Sequence, residues 1–295
     1  MEPIAVYVHV PFCPSKCGYC DFNSYAMSGE IIGRTVDAIE REIRTSPIAG
    51  TPAKTIFFGG GTPTFLDAPD LLRLLHAVFE VHPPIDGCEI TSEANPGTVD
   101  ASKFAAMRSG GFNRVSLGAQ SFLDSDLLRL ERVHKADEIG RAVAAARTAG
   151  FDNLNLDLMF ALPGQSRRGW SDNLSRALEL APDHLSLYCL TIEPNTKFYG
   201  RHLKGQLVLP DEDAQVEMYD EALRRTAEAG FVQYEISNFC RPGQECRHNL
   251  EYWYANPYAA YGPGAVGATA RERTTNLKSP RLYCEAVDRG ERPLM

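Results

Sequence analysis

Three cysteines stand at C-x3-C-x2-C spacing in the segment Tyr7-Val-His-Val-Pro-Phe-Cys13-Pro-Ser-Lys-Cys17-Gly-Tyr-Cys20. A [4Fe–4S] cube has four irons, so three thiolates leave one iron open for a ligand that the protein does not supply. Prolines on either side of Cys13 restrict the loop and help to hold the sulfurs together. The spacing therefore favours an open-corner cluster. Buried structural cysteines, or a zinc site of the three cysteines with His9, are the alternatives, although zinc ligands more often come as two separated pairs.

Composition narrows the class of protein. The 295 residues are enough for one large domain or two modest ones, and the net charge of −8 disfavours a general nucleic-acid partner. No apolar run reaches the roughly 18 residues that a transmembrane helix needs, and no signal peptide is predicted. Reduced thiols then predict a cytoplasmic protein. Five further cysteines are expected to be small buried side chains: Cys88, Cys189, Cys240, Cys246 and Cys284.

Apolar runs alternate with helical patterns along the first two thirds of the chain. Six runs predict buried parallel strands: Ile4–Val10, Thr55–Gly59, Glu89–Ala94, Arg114–Ala119, Leu154–Phe160 and Leu185–Leu190. Helices are predicted between them: Glu30–Arg44, the Leu71–Phe79 stripe capped by Asp67, Asp100–Ser109, Lys135–Ala149 and the Leu174–Ala181 stripe. Six strand–helix units predict an α/β fold, either an open (β/α)6 partial TIM barrel or a doubly wound sheet.

The pattern changes after residue 194. A helix is predicted over Asp211–Ala229 and a strand over Phe231–Ile236, followed by a region rich in Gly, Pro, Tyr and Asn. We therefore expect a core domain over residues 1–194 and a short α+β extension over residues 195–295.

Four polar motifs end successive predicted strands, at the edge where parallel α/β folds place their chemistry. They are Gly59-Gly-Gly-Thr-Pro-Thr64, Glu93-Ala-Asn-Pro-Gly-Thr98, Ser116-Leu-Gly-Ala-Gln-Ser-Phe122 and the Asn155–Gln165 segment around Asp157. A tight turn alone would explain the glycines, and a surface acid beside a turn would explain Glu93. Asp157 lies in an apolar run, so it needs a partner, which is either a ligand or an arginine such as Arg132.

In this order the motifs resemble those of the radical S-adenosylmethionine (SAM) superfamily. More narrowly, the chain resembles the oxygen-independent coproporphyrinogen III oxidase (HemN) family, and most of all its heme chaperone (HemW) branch, from about Tyr7 to Gly264. The resemblance implies the open six-unit barrel. It also implies that SAM binds the open iron through its amino and carboxylate groups and that an electron from the cluster cleaves SAM to a 5′-deoxyadenosyl radical.

Site residues follow from the resemblance position by position. Cys13, Cys17 and Cys20 would bind the cluster. Four positions match contacts to the cluster-bound SAM: Tyr7, Tyr19, Gly60 and Glu93. Six match positions lining a second SAM in the oxidase: Gly61, Thr62, Gln120, Arg132, Asp157 and Thr191. Whether this chain binds a second SAM stays open.

Two positions distinguish the branches. The oxidase has a further cysteine two residues after the third, where this chain has Phe22. The segment Cys246-Arg-His-Asn-Leu-Glu-Tyr-Trp253 matches the chaperone's H-N-x-x-Y-W signature, in which the histidine is linked to heme. His248 is thus the expected heme ligand, with a Cys246 thiolate as the alternative. A loop histidine beside packing aromatics is the plain structural interpretation.

The resemblance predicts a heme chaperone that binds heme, cluster and SAM and delivers heme to hemoprotein acceptors. The alternative is an enzyme of porphyrin biosynthesis that decarboxylates the propionates of coproporphyrinogen III; a radical SAM methyltransferase or cyclopropanase is a weaker one. Expected partners are an electron donor such as flavodoxin or ferredoxin and a second copy of the chain. Three departures from the family stand out. Its members usually continue past this length into a C-terminal helical domain, whereas this chain ends at Met295, and Val266 and Ala161 stand where a His and a Gly are common.

Overall fold

The computed structural model describes residues 2–295. One sheet of eleven strands runs through it, in the order β11-β10-β9-β1-β2-β3-β4-β5-β6-β8-β7. The strand bounds are β1 Ile4–Val10, β2 Ala53–Gly60, β3 Pro84–Ala94, β4 Arg114–Gln120, β5 Asn153–Phe160, β6 His184–Cys189, β7 Val232–Gln233, β8 Asn238–Cys240, β9 Tyr258–Tyr261, β10 Val266–Ala268 and β11 Arg273–Thr275.

Strands β1 to β6 are parallel and neighbour one another in chain order. A doubly wound sheet reverses its strand order at a switch point, whereas a barrel does not. The order thus confirms the six-unit partial barrel. Every carboxyl end lies on one edge, and the pairing of Val10 with Gly60 sets the cysteine loop beside the glycine loop.

The described part of the chain also has two short 3-10 helices, Pro63–Phe65 and Pro96–Thr98, and ten α-helices: α1 Glu30–Arg44, α2 Ala68–Val81, α3 Ala101–Gly110, α4 Asp124–Arg129, α5 Ala136–Thr148, α6 Arg167–Glu179, α7 Lys197–Leu203, α8 Glu212–Glu228, α9 Arg247–Trp253 and α10 Pro280–Asp288. The Asp67 carboxylate caps α2 by accepting the Asp70 N–H at 2.9 Å, as predicted. Apolar faces of helices and strands form one main core around residues such as Phe58, Leu117 and Leu156. No helix between residues 2 and 295 combines the length and apolarity of a bilayer span.

The residues after 194 extend the same sheet at both edges. Strand β8 runs antiparallel to β6 and carries β7, whereas β9 runs parallel to β1 and carries β10 and β11. The predicted strand Phe231–Ile236 was too long, because only Val232–Gln233 pair. The Leu174–Ala181 stripe also overran, because α6 ends at Glu179. The expectation that Cys189 is buried was wrong; it lies exposed at the end of β6.

Candidate functional site

The three cysteines line one cavity at the carboxyl edge of the sheet. All three are free thiols and half-buried. The cavity wall also carries most of the predicted site residues: Tyr19, Gly60, Gly61, Thr62, Glu93, Gln120, Arg132 and Asp157. Residues up to 144 positions apart in the sequence (Cys13 to Asp157) therefore meet around a single space.

Each cysteine sulfur has a neighbouring side chain that can donate a hydrogen bond to it. Thr62 Oγ1 lies 3.4 Å from Cys13 Sγ, Ser24 Oγ lies 3.8 Å from Cys20 Sγ, and Arg132 Nη1 lies 3.7 Å from Cys17 Sγ. Burial raises the pKa of the Cys13 and Cys20 thiols, and the hydroxyl donors oppose that shift. Donors favour the thiolate, which is the form that binds iron.

The donor set fits a cluster better than a zinc ion. Both ring nitrogens of His9 already have partners: Nδ1 lies 3.0 Å from Tyr7 Oη and Nε2 lies 2.9 Å from the Asn23 carbonyl oxygen. Among residues 2–295, no three His, Cys, Asp or Glu side chains converge as ligands of one ion. A cube needs no such convergence, because each sulfur binds a different iron.

The glycine loop packs directly on the cysteine loop. Gly61 N–H donates to the Val10 carbonyl and Thr62 N–H donates to the Phe12 carbonyl, both at 2.8 Å. A Cβ on Gly61 would stand 2.6 Å from the Phe12 carbonyl oxygen, and Gly60 has φ of 106°. Only glycine allows this approach and this backbone conformation. The run is therefore more than a turn, since it fixes one loop against the other.

Two half-buried acids, Glu93 and Asp157, line the cavity. Glu93 accepts a hydrogen bond from Gly60 N–H at 3.2 Å, and burial, with the nearby Asp157 charge, raises its pKa to about 8. Asp157 accepts hydrogen bonds from Asn155 Nδ2 at 2.7 Å and Ser116 Oγ at 3.1 Å, and burial raises its pKa. Of the two partners expected for Asp157, a ligand or an arginine such as Arg132, the arginine is not found. Arg132 donates to the Gly118 carbonyl at 2.6 Å and to Cys17 instead.

The remaining predicted site residues do not all line the cysteine cavity. Tyr19 lies in the cysteine cavity with its ring edge against Phe198. Gln120 also lines it, with φ of 63°, a strained conformation for a non-glycine residue that often marks a functional site. Tyr7 lines a neighbouring cavity instead. Thr191 is exposed beyond β6 and lines neither space.

The neighbouring cavity, called here the His248 cavity, has a volume of about 550 Å³. It adjoins the cysteine cavity, with which it shares five wall residues: Phe22, Gly60, Glu93, Ser116 and Asp157. Its other lining residues come from strands β1, β2, β4 and β6 and from the segment after residue 194: Tyr7, Phe57, Arg114, His184, Tyr188, Cys246, His248, Tyr252 and Val266. A space of this size suits a small organic ligand or cofactor.

His248 lies buried at the start of α9. Its Nδ1 is 2.8 Å from Thr55 Oγ1, and its Nε2 is 2.9 Å from Tyr252 Oη. Burial and the Arg114 charge lower its pKa to about 3, so the ring is neutral, as a metal ligand must be. In the tautomer with the proton on Nδ1, the Nε2 lone pair accepts the Tyr252 O–H; in the other tautomer Nε2–H donates to Tyr252 Oη, so Nε2 has the same partner in both. Tyr252 therefore covers the nitrogen that would face a ligand.

Cys246 is poorly suited to act as a thiolate ligand of heme iron. It is buried, and burial raises the pKa of its thiol to about 12. Its sulfur lies 3.7 Å from Glu89 Oε1. A neighbouring carboxylate and low solvation both disfavour the charged sulfur. The alternative that Cys246 supplies the heme ligand is therefore not supported by its surroundings.

Sequence reasoning missed the polar residues inside the strands. Arg114 begins β4 and His184 begins β6, and both side chains reach the His248 cavity. His184 bonds through Nδ1 to Asn155 Oδ1 at 2.7 Å and through Nε2 to Tyr234 Oη at 2.9 Å. The available signal was a charged or titratable residue at the edge of an otherwise apolar run.

Comparisons with known proteins agree with this geometry. Residues 7–176 match the family model described as "Radical SAM superfamily". The chain is 41% identical to the heme chaperone HemW of Escherichia coli (97% of this chain, 76% of the relative) and 40% identical to that of Bacillus subtilis (96% and 76%). The solved structure of coproporphyrinogen III oxidase (HemN) from E. coli superposes with a TM-score of 0.86 at 25% identity (99% and 71%).

A partial barrel with three free cysteines at its carboxyl edge is the architecture of a radical SAM protein. Its cofactors are accordingly a [4Fe–4S] cluster and SAM, which the sulfurs and the polar cavity wall fit. Within that superfamily the chain belongs to the heme chaperone HemW family.

Proposed function

We propose that the protein is a heme chaperone, which holds heme in the His248 cavity and passes it to acceptor hemoproteins. The observation that carries this proposal is the neutral, buried imidazole of His248 in a cavity of about 550 Å³ that shares wall residues with the cysteine site. The relatives named heme chaperones share 36–41% identity with the chain and support the same role.

We assign the residues of the cysteine cavity to two cofactors, the cluster and SAM. Cys13, Cys17 and Cys20 would hold the cluster, and the Glu93–Asp157 side of the cavity would face SAM. When bound, the cluster supplies one-electron chemistry at SAM. Gly61, Thr62, Gln120 and Arg132 are proposed to shape that space, and Tyr7 the adjoining His248 cavity, whereas Thr191 lines neither space.

Heme binding requires Tyr252 to move. Its hydroxyl occupies His248 Nε2, but the side chain is 40% exposed on a helix of seven residues. Rotation of the ring toward solvent frees Nε2, while Thr55 keeps the imidazole plane fixed. Trp253, which is 53% exposed, lies next to it and offers an aromatic face.

Further proposals follow from the same role. A reduced flavodoxin or ferredoxin would supply the electron, two copies of the chain would associate around heme, and the site of action would be the cytoplasm. We also propose that residues 1–194 form the radical SAM core and that residues 195–295 form a C-terminal extension that binds heme. His248 and Val266 lie in the latter segment.

A heme titration tests the proposal. Wild type and His248→Ala, reconstituted without oxygen, are titrated with heme and followed by absorption spectroscopy. His202→Ala, an exposed histidine on α7, is the matched control. We expect saturable binding by wild type and by the control, with weaker binding and a changed heme band for His248→Ala. An unchanged band would remove His248 as ligand.

A second assay separates the chaperone from the oxidase. The same material is incubated with coproporphyrinogen III, SAM and a reductant. We expect no protoporphyrinogen, because Phe22 stands where the oxidase resemblance calls for a further cysteine. Protoporphyrinogen formed together with 5′-deoxyadenosine would overturn the chaperone role.

A further inference from the structure

Arg114 stands out among the buried charges of this fold. It is the first residue of β4, it lines the His248 cavity and it is only 2% exposed. Its Nε has no hydrogen-bond partner, and its guanidinium forms no salt bridge within residues 2–295. A buried charge without a direct partner is costly, so such a group is normally kept for a ligand.

The nearby acids are already engaged elsewhere. Glu89 accepts the backbone N–H groups of Arg247 and His248, each at 3.0 Å. Asp157 accepts from Asn155 and Ser116. These carboxylates lend Arg114 a favourable field without pairing with it directly. The N–H donors of the Arg114 guanidinium therefore have no directly paired anion.

The missing anion is most simply a carboxylate. The planar guanidinium matches the two oxygens of a carboxylate in a paired geometry that Lys cannot reproduce. Two carboxylate sources are available to this site: the propionates of heme and the amino-acid group of SAM. Arg114 lines the His248 cavity but not the cysteine cavity, which favours the molecule that reaches His248.

We propose that Arg114 is the carboxylate-binding residue of the His248 cavity and that the carboxylate is a propionate of heme. This inference rests on the proposed heme role. Contacts at two points, one from His248 to the iron and one from Arg114 to a propionate, would fix which edge of the porphyrin enters the cavity first.

A cycle of two ligands and four proteins tests it. Heme and heme dimethyl ester, whose propionates carry no charge, are titrated into wild type, Arg114→Met, Arg114→Lys and the control Arg108→Met. Arg108 is exposed and donates through Nε to the Gly150 carbonyl at 2.9 Å, far from the cavity lining. Thermal melting of each protein checks the fold.

We expect Arg114→Met to weaken heme binding about tenfold or more, the usual range for a charge-assisted hydrogen bond. Binding of the ester should change little, Arg114→Lys should fall between, and Arg108→Met should match wild type. If Arg114→Met does not fold, wild type alone must still prefer heme to its ester by about the same factor.

The other outcomes each overturn a separate statement. Equal loss of heme and ester binding in Arg114→Met would assign Arg114 to packing rather than to a carboxylate. In a separate titration with SAM, weaker binding by Arg114→Met together with unchanged heme binding would make SAM the source of the carboxylate and remove the propionate. Equal heme binding by wild type and Arg114→Met would remove the inference and leave the chaperone role intact. No heme binding by wild type would instead remove the proposed function.

Discussion

Gly61→Ala perturbs the contact that holds the cysteine loop in place. The new Cβ would stand 2.6 Å from the Phe12 carbonyl oxygen, 2.9 Å from Phe12 N and 2.9 Å from the Val10 carbonyl oxygen. All three atoms belong to the backbone, so no side chain can rotate away. The loop itself must shift, and overpacking of this kind costs about 1–3 kcal/mol.

The shift should also reach the cluster, because Cys13 directly follows Phe12. We expect Gly61→Ala to lower the melting midpoint by several degrees and to bind less iron and sulfide after anaerobic reconstitution. Gly140→Ala is the matched control, since nothing lies within 4 Å of its Cβ position inside α5. That change should stabilise the fold by about 0.5–1 kcal/mol and leave iron content unchanged. Wild-type stability and iron content in Gly61→Ala would refute the reasoning.

Three further predictions address other parts of the structure. Tyr252→Phe removes the hydroxyl that covers His248 Nε2, so heme affinity measured by absorption titration should rise by up to about tenfold; a fall would show that the hydroxyl assists binding. Burial raises the pKa of Glu93 to about 8, above its value of about 4.3 in an unfolded chain, so the folded state binds this proton more tightly and stability without SAM should fall as pH rises between those values. Glu93→Gln should flatten that slope in denaturant melts at pH 5 and 8, and an unaltered slope would contradict the assignment. Asp67→Ala removes the α2 cap and should cost about 1 kcal/mol in the free energy of unfolding, whereas no loss would show that the cap bond is weak.

The strand and helix pattern was predictable because local signals agreed with the fold. Helix α1 was predicted with its observed bounds, Glu30–Arg44. Strand β3 begins at Pro84 rather than Glu89, since its first four residues, Pro84 to Gly87, are all exposed and carry no periodic apolar pattern. Short pairings such as β7 depend on a neighbouring strand, which periodicity cannot reveal.

Site residues that belong to sequence motifs were predictable. Their hydrogen-bond partners were not, because the partners depend on which residues the fold brings together. The cysteines, Gly60, Glu93 and Gln120 do share one cavity. The partners of Asp157 could not be read from the sequence, because its donors are neutral side chains, Ser116 on the adjacent strand β4 and Asn155 on β5 itself, rather than an arginine. The conformation of Ala161, with φ of 57°, shows why a glycine is common there, since only glycine adopts it without strain.

The central claim is that Cys13, Cys17 and Cys20 hold a cube with one iron open to SAM. Electron paramagnetic resonance of the reduced, anaerobically reconstituted protein, recorded with and without SAM, tests it most directly. The account predicts a [4Fe–4S] signal that changes when SAM is added and that is lost in Cys17→Ala. A sample that holds zinc, or a cubane signal that SAM leaves unchanged, would contradict it.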